Sequence, residues 1–330
     1  MAITLEQAKV GMADKVDQQV IDEFRRGSLL LDRMIFDDTV SPGTGGSTLT
    51  YGYVRLKTPG LAGFREINKE YQAQEADRQA FTATLKIFGG AFEIDRVIAE
   101  TSGAIDEVGF QLNQKIKAAT NLFHYTVING DSAVDAEAFD GLDKALVGSS
   151  TEIGKDAYVD LSDSTALDTN YKAFMDDLDD FLSELDGRPT FLLGNSKLMT
   201  KIKAVARRAG YLTQSEDAFG RKVDAYDSIP LVDLEYYVDE NKATIPTVPI
   251  VDTRKPDGTN TVTGLTDLYA VRLGLDGFHG ATVSGNKIIK TYLPDFAQPG
   301  AVKKGEVEMV GAVVLKATRA AGVLRNIKVK

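Results

Sequence analysis

The stretch from Ala104 to Gly130, AIDEVGFQLNQKIKAATNLFHYTVING, constrains the chain more than any other. Ile105, Val108, Leu112, Ile116, Ala119 and Phe123 recur every three or four residues, which draws one apolar stripe along a helix and leaves Asp106, Glu107, Lys115 and Lys117 on its other sides. Thr101-Ser102 and the acidic pair mark its start. Asn129-Gly130 marks its stop, because both residues tolerate the left-handed backbone of a helix C-cap. At about 1.5 Å per residue, roughly 25 residues span about 35 Å, enough to serve as the spine of a domain.

A chain of 330 residues exceeds the usual single core of about 100 to 200 residues, so two folded units, or one with a large insertion, are expected. Hydrophobic residues make up 43%, ample for such cores. There is no run of about eighteen uncharged apolar residues, and MAITLEQAKV lacks the basic-then-apolar layout of a signal peptide. A soluble protein made in the cytoplasm, with no membrane partner, is expected. The absence of cysteine removes disulfides, thiolate catalysis and cysteine-ligated zinc. The net charge of −10 is concentrated in one block: residues 131–186 carry 16 acidic and 3 basic side chains, against 17 and 14 in residues 1–130 and 15 and 21 in residues 187–330. A chain of this balance lacks the broad basic surface that binds nucleic acid by neutralising phosphates.

Upstream of the spine, VDQQVIDEFRRGSLLLDRMIF (16–36) carries loose helical spacing and predicts a helix, and SPGTGGST (41–48) is a flexible break. LTYGYVRLKTPG alternates around Tyr51, Tyr53 and Val54 and predicts a strand ending at Pro59-Gly60. The following segment to Gln79 is polar, with isolated Leu61, Phe64, Ile67 and Tyr71, and cannot bury a core alone. Alternation resumes at Phe81, Ala83, Leu85 and Ile87, then Phe92 and Ile94, and the intervening Gly89-Gly90 predicts a bulge or bend. Tyr51 to Ile87 therefore reads as a long two-stranded excursion.

Downstream, an acidic loop runs to Asp168, and a helix follows with Tyr171, Phe174, Leu178, Phe181 and Leu185 on one face, ending at Gly187. RPTFLLGN reads as a buried strand, and Ser196 as the cap of the helix KLMTKIKAVARRAG. FGRKVDAYDSIPLVDL, LYAVRLG and KIIKTYL add strands, and VEMVGAVVLKATRAAGVLRNIKV reads as a terminal hairpin that rejoins the first unit. The fold class is α+β.

Side chains arranged for chemistry are sparse. GTGGST lacks both the GK[ST] ending and the following helix of a phosphate-binding loop, and reads as a hinge. GNSKL lacks the glycine two residues after Ser196 that a nucleophile elbow requires. His124 and His279 are the only histidines and form no HExxH or facial-triad pattern. The acids of DDLDD point around a helix without EF-hand spacing and read as a solvated face. No catalytic, cofactor-binding or metal residues are therefore assigned, and the chain is not expected to be an enzyme. Lys197, Lys201, Lys203, Arg207 and Arg208 form the one basic cluster, open to phosphate or, preferred here, to the acidic block of a neighbouring subunit.

The order of these features carries a resemblance. A two-stranded excursion, a strand with a glycine pair, a spine closing on Val127-Ile128-Asn129-Gly130-Asp131 and then Gly141-Leu142 resembles the major capsid proteins of tailed bacteriophages, the Hong Kong ninety-seven type. Encapsulin shells and the herpesvirus capsid floor share that fold. FLLGNSKLMTKIKAV resembles the strand and helix of the family's axial domain, and Gly220, Val223 and Ile229-Pro230-Leu231 resemble its strand pair.

The resemblance implies an N-terminal arm (1–48), an extended loop (49–80), a peripheral domain holding the spine (81–135 and 288–330) and an inserted axial domain (136–287). It implies a shell subunit that assembles into hexamers and pentamers around packaged DNA, without sequence-specific DNA binding or any cofactor. Leu61, Phe64, Ile67, Tyr71, Lys201, Arg207 and Arg208 become the candidate contacts between subunits. Implied partners are further copies of the chain, a separate scaffolding protein and a portal protein, with room for decoration proteins; the implied location is the virion, and the host cytoplasm during assembly. An encapsulin-type shell around cargo protein is the alternative, and a soluble α+β enzyme a remote one. Some family members crosslink through lysine and asparagine; Lys57 and Lys69 lie in the loop, but no partner is assigned to them.

Overall fold

The computed structural model describes residues 29–40, 49–58, 60, 62–71, 75–101, 107–210, 212–216, 222–239, 241–283 and 289–330. A short helix α1 (Leu29–Arg33) leads into strand β1 (Phe36–Val40); β2 (Thr50–Thr58) and β3 (Asp77–Thr84) form the excursion, and β4 (Lys86–Asp95) returns to the body. Helix α2 (Arg96–Thr101) precedes the spine α3 (Glu107–Asn129). Then come α4 (Leu142–Leu146), β5 (Glu152–Ile153), β6 (Val159–Asp160), α5 (Ser164–Ser183), β7 (Phe191–Gly194) and α6 (Ser196–Ala209). Strands complete the chain: β8 (Leu212–Glu216), β9 (Lys222–Tyr226), β10 (Ile229–Asp233), β11 (Tyr236–Val238), β12 (Thr244–Pro246), β13 (Leu265–Val271), β14 (Phe278–Val283), β15 (Ile289–Tyr292), β16 (Val302–Leu315) and β17 (Ala321–Lys328).

Two sheets carry the body. In the five-stranded sheet the long β16 pairs with β4 along one edge and with β14 and β15 along the other, and β1 adds in parallel to β14. The eight-stranded sheet runs β5-β17-β13-β7-β10-β9-β8, with β6 also on β17. Its strands alternate between two cores. Phe191, Leu193, Tyr269, Val271 and Val323 face the spine and the five-stranded sheet, whereas Leu192, Leu268, Ala270 and Leu324 face α5 and α6. The first core joins the two sheets, so Phe123, Val127 and Ile128 of the spine pack with residues of both.

Several expectations change. Residues 321–328 do not fold back on β16: a single 3-10 turn (Thr318–Ala320) carries the chain from one sheet to the other, where β17 pairs with β13 and β5. The alternation in both strands is real, but alternation does not specify a partner. Gly89-Gly90 makes no bulge, since β4 pairs with β16 in unbroken register from Lys86 to Asp95. A Cβ on Gly89 would lie 2.0 Å from the Val307 carbonyl oxygen, and one on Gly90 3.3 Å from the Lys115 side chain, so the pair permits close approach. Asn195, not Ser196, caps α6: its side chain accepts the Leu198 amide at 2.9 Å while its amide donates to Thr266 at 2.7 Å and the Val248 carbonyl at 3.2 Å. Helix α5 starts at Ser164, inside the supposed acidic loop, because Asp163 accepts the Ala166 amide. Of the predicted helix over 16–36, residues 16–28 lie outside the described residues, and Phe36 belongs to β1, paired opposite Gly280.

The spine ends where expected, but not by a left-handed cap, as neither Asn129 nor Gly130 has positive φ. Instead Gly130 donates to the Thr126 carbonyl at 2.9 Å, and the Gly141 amide donates to the Gly130 carbonyl at 2.8 Å. Cβ atoms would meet the Phe139 carbonyl oxygen at 2.1 Å from Gly130 and the Thr126 carbonyl oxygen at 2.6 Å from Gly141. The Asn-Gly-Asp and Gly-Leu signatures are thus two halves of one backbone contact. Only the C-terminal half of the spine is deeply buried; Val108, Leu112 and Ile116 remain partly exposed.

Candidate subunit interface

The β2–β3 ribbon pairs from Thr50 opposite Thr84 to Thr58 opposite Asp77. Beyond it lies the polar segment singled out by its isolated hydrophobes. Phe64 is fully exposed, Ile67 is 88% exposed and Tyr71 64%; Leu61 lies outside the described residues. Arg65 stacks over the Tyr71 ring at 5.5 Å, and Lys69 pairs with Glu66. Three large apolar side chains exposed in one short segment without a core leave burial energy ungained in the single chain.

The foot of the ribbon is built differently. The Tyr51 hydroxyl donates to Asp37 of β1 at 2.6 Å, and the His279 ring of β14 meets the Tyr51 ring edge-on at 5.8 Å. Lys316 sits 5.3 Å over the Tyr51 ring and 4.0 Å from Asp37. Burial and then the Asp37 carboxylate raise the Tyr51 pKa, while burial lowers that of His279. The buried His124 on the spine is lowered to about 4 by desolvation. Both histidines are therefore neutral core residues at pH 7. Among the described residues no group of three or more His, Cys, Asp or Glu side chains has metal-binding geometry, and no helix is long and apolar enough to cross a membrane.

The basic cluster lies on α6, but its contacts run within the subunit. Lys201 donates to the Ser162 carbonyl at 2.6 Å, Lys203 pairs with Asp224 at 2.5 Å, and Arg208 pairs with Asp168 at 2.6 Å. The acidic block that a neighbour was expected to supply is thus partly answered at home. Arg207 is exposed. The structure does not bring this cluster together with Phe64, Ile67 and Tyr71; they sit on separate elements.

One polar assembly escaped the sequence reading. At a bulge, Asp267 of β13 faces both Arg325 and Asn326 of β17, and Asn326 takes the left-handed backbone with φ 60°. Asp267 accepts from Arg254 at 2.5 and 2.7 Å, from Arg325 at 3.0 Å and from the Asn326 amide at 3.1 Å. Arg325 also reaches Glu152 at 3.0 Å and Asp143, and Asp143 accepts the Tyr269 hydroxyl at 2.9 Å. Burial alone would raise the Asp267 pKa, but Arg254 and Arg325 hold it below the ordinary carboxylate range. The assembly joins β5, α4, β13 and β17. The acid Asp267 within LTDLYAV and the Arg325-Asn326 pair within GVLRNIKV, set among apolar strand residues, were its available signal.

No family model and no curated protein sequence matches the chain. Its fold is matched by solved structures. It is similar to the SrpI encapsulin of Synechococcus elongatus PCC 7942, with a TM-score of 0.62 at 14% identity over 99% of this chain and 97% of that one. A chain of Mycobacterium phage Bobi follows, with a TM-score of 0.59 at 11% identity over 100% and 99%. The capsid of an empty GTA particle gives 0.55 at 13% over 98% and 97%. The chain thus has the α+β fold of the Hong Kong ninety-seven type, common to phage capsid proteins and an encapsulin. At these identities the likeness is one of fold.

Proposed function

We propose that the chain is the major capsid protein of a tailed double-stranded DNA bacteriophage, a non-enzymatic shell subunit that self-assembles into hexamers and pentamers around the packaged genome. The observation that carries this reading is the excursion, whose Phe64, Ile67 and Tyr71 are exposed in the single chain and need a second copy to be buried. Residues 1–48 act as the arm and 49–80 as the extended loop. The five-stranded sheet and spine form the peripheral domain, and the eight-stranded sheet with α5 and α6 forms the axial domain. On this division residues 278–283 join the peripheral sheet and 321–328 the axial one. Of the basic side chains, Arg207 is the better interface candidate, with Lys201 and Arg208 acting from their own subunit's acidic block. A scaffolding protein and a portal protein assist assembly in the host cytoplasm, and the acidic balance of −10 lets the wall confine DNA without gripping it.

The likeness to SrpI supports a second reading, an encapsulin-type shell around protein cargo. Contents separate the two: portal and terminase genes beside this one point to DNA, a cargo enzyme to the encapsulin. Electron microscopy and light scattering of the purified chain test both. Closed rings or shells are expected, formed by head-to-tail contacts that close by rotation; compact monomers under all salt and scaffold conditions would refute a shell protein altogether.

A further inference from the structure

Asparagine is a thermolabile residue, most of all where the next residue is small. The backbone nitrogen of that residue attacks the side-chain carbonyl carbon, a cyclic imide forms and ammonia leaves; water then opens the imide to aspartate or isoaspartate. The chain holds one Asn-Gly, Asn129-Gly130, and one Asn-Ser, Asn195-Ser196. They lie on different elements, the end of the spine and the cap of α6, yet both give their side-chain amide to one segment. Asn129 Nδ2 donates to the Thr247 carbonyl at 2.6 Å and to the Tyr125 carbonyl at 3.2 Å. Asn195 Nδ2 donates to the carbonyl of the adjoining Val248 at 3.2 Å and to the Thr266 hydroxyl at 2.7 Å, while its Oδ1 accepts the Leu198 amide.

The attack is hindered at both sites. Each carboxamide is pinned by two bonds from its nitrogen, and the Gly130 N–H is itself engaged with the Thr126 carbonyl at 2.9 Å. The segment that supplies the two carbonyls is anchored in turn. The Thr247 amide donates to the Glu235 carbonyl at 3.0 Å and its hydroxyl to the Leu234 carbonyl at 2.9 Å, and Thr247 and Val248 are both buried. We infer that Asn129 and Asn195 are latent deamidation sites kept closed by one clamp, Thr247-Val248, so that a subunit whose clamp has opened becomes chemically marked at both. The mark at residue 129 opposes return to the native packing. A carboxylate there has no proton to give, so it would set an acceptor 2.6 Å from the Thr247 carbonyl, and the isoaspartyl product would lengthen the backbone beside the close Gly130–Gly141 contact. At residue 195 the mark is milder, because an aspartate still accepts the Leu198 amide and caps α6.

Peptide mapping by mass spectrometry follows both sites over time at mildly alkaline pH, in the folded chain and in the same chain held unfolded in guanidinium chloride. Deamidation at both residues is expected to be slower in the folded chain by about a hundredfold or more, as for a reaction that must wait for local opening. Thr247→Val keeps the shape of the side chain and removes the hydroxyl anchor. It should speed deamidation at residues 129 and 195 together, by about tenfold, because the buried Leu234 carbonyl loses its donor. Ile94→Val, which removes one methyl group from a buried residue of β4, is the control and should leave both rates near those of the parent. Equal rates in folded and unfolded chains, a Thr247→Val variant that speeds only one site, or a control that speeds both as much, overturns the clamp. In urea unfolding Asn129→Asp should be less stable than both the parent and Asn195→Asp; parent-like stability of Asn129→Asp overturns the barrier to refolding.

Discussion

Replacing Asp267 with Asn keeps the shape of the side chain and removes the charge on which Arg254 and Arg325 converge. The carboxylate accepts two bonds from Arg254, one from Arg325 and one from the Asn326 amide, and only 3% of the residue is exposed. An amide offers one oxygen, and its NH₂ would face guanidinium donors. At least two charge-assisted bonds are lost, each contributing about 1.5 to 3 kcal/mol, which agrees with the roughly 3 to 5 kcal/mol cost of breaking a buried pair. Arg325 keeps Asp143 and Glu152, so the lower end, about 3 kcal/mol, is expected. Urea unfolding of dissociated subunits, followed by circular dichroism, measures this at pH 7. The folded pKa of Asp267 lies below its unfolded value of about 3.9, so its contribution is complete above about pH 4 and is lost as pH falls through the folded pKa. The gap between parent and Asp267→Asn should therefore narrow below about pH 4. A gap under about 1 kcal/mol at pH 7, or one unchanged down to pH 3, would refute the account of the network.

Phe64→Asp with Ile67→Asp should leave circular dichroism unchanged and abolish assembly in sedimentation, through loss of about 1.5 to 3 kcal/mol of burial per side chain. Gly130→Ala should cost about 2 kcal/mol or more in chemical denaturation, since its methyl group would press on the Phe139 and Thr126 carbonyls. Asn195→Ala should cost about 1 to 3 kcal/mol in the same assay, as a helix cap and two buried amide bonds disappear together. Free subunits should bind DNA weakly and without sequence preference at physiological salt; salt-titrated binding checks this, and tight binding would speak against a wall that merely confines.

Much of the fold was legible because periodicity is local. The stripe from Ala119 to Phe123 marked the buried half of the spine, Phe174, Leu178 and Phe181 marked α5, and the spacing around Tyr51 and Phe81 marked both strands of the excursion. Pairing was less legible, because it joins residues far apart. Nothing local says that Phe36 will lie opposite Gly280, where a Cβ would strike the Phe36 ring at 2.4 Å, or that GFHG is the buried strand β14. The Asp267 network was hidden for the same reason, its members being drawn from residues 143, 152, 254, 267, 325 and 326. The segment that leaves Phe64, Ile67 and Tyr71 exposed was readable in sequence.

The crossing of β17 from one sheet to the other has a consequence for the order of synthesis. Lys86 finds Gly311, Phe36 finds Gly280, and Glu152 finds Val323, so the strands that complete both sheets are translated after nearly everything they pair with. A nascent chain that stops short of Ala321 lacks the strand between β5 and β13, and one that stops short of Val302 lacks the centre of the five-stranded sheet as well. Such long-range closure is slow relative to local helix formation. A chain from which residues 302–328 have yet to emerge therefore has both sheets unfinished.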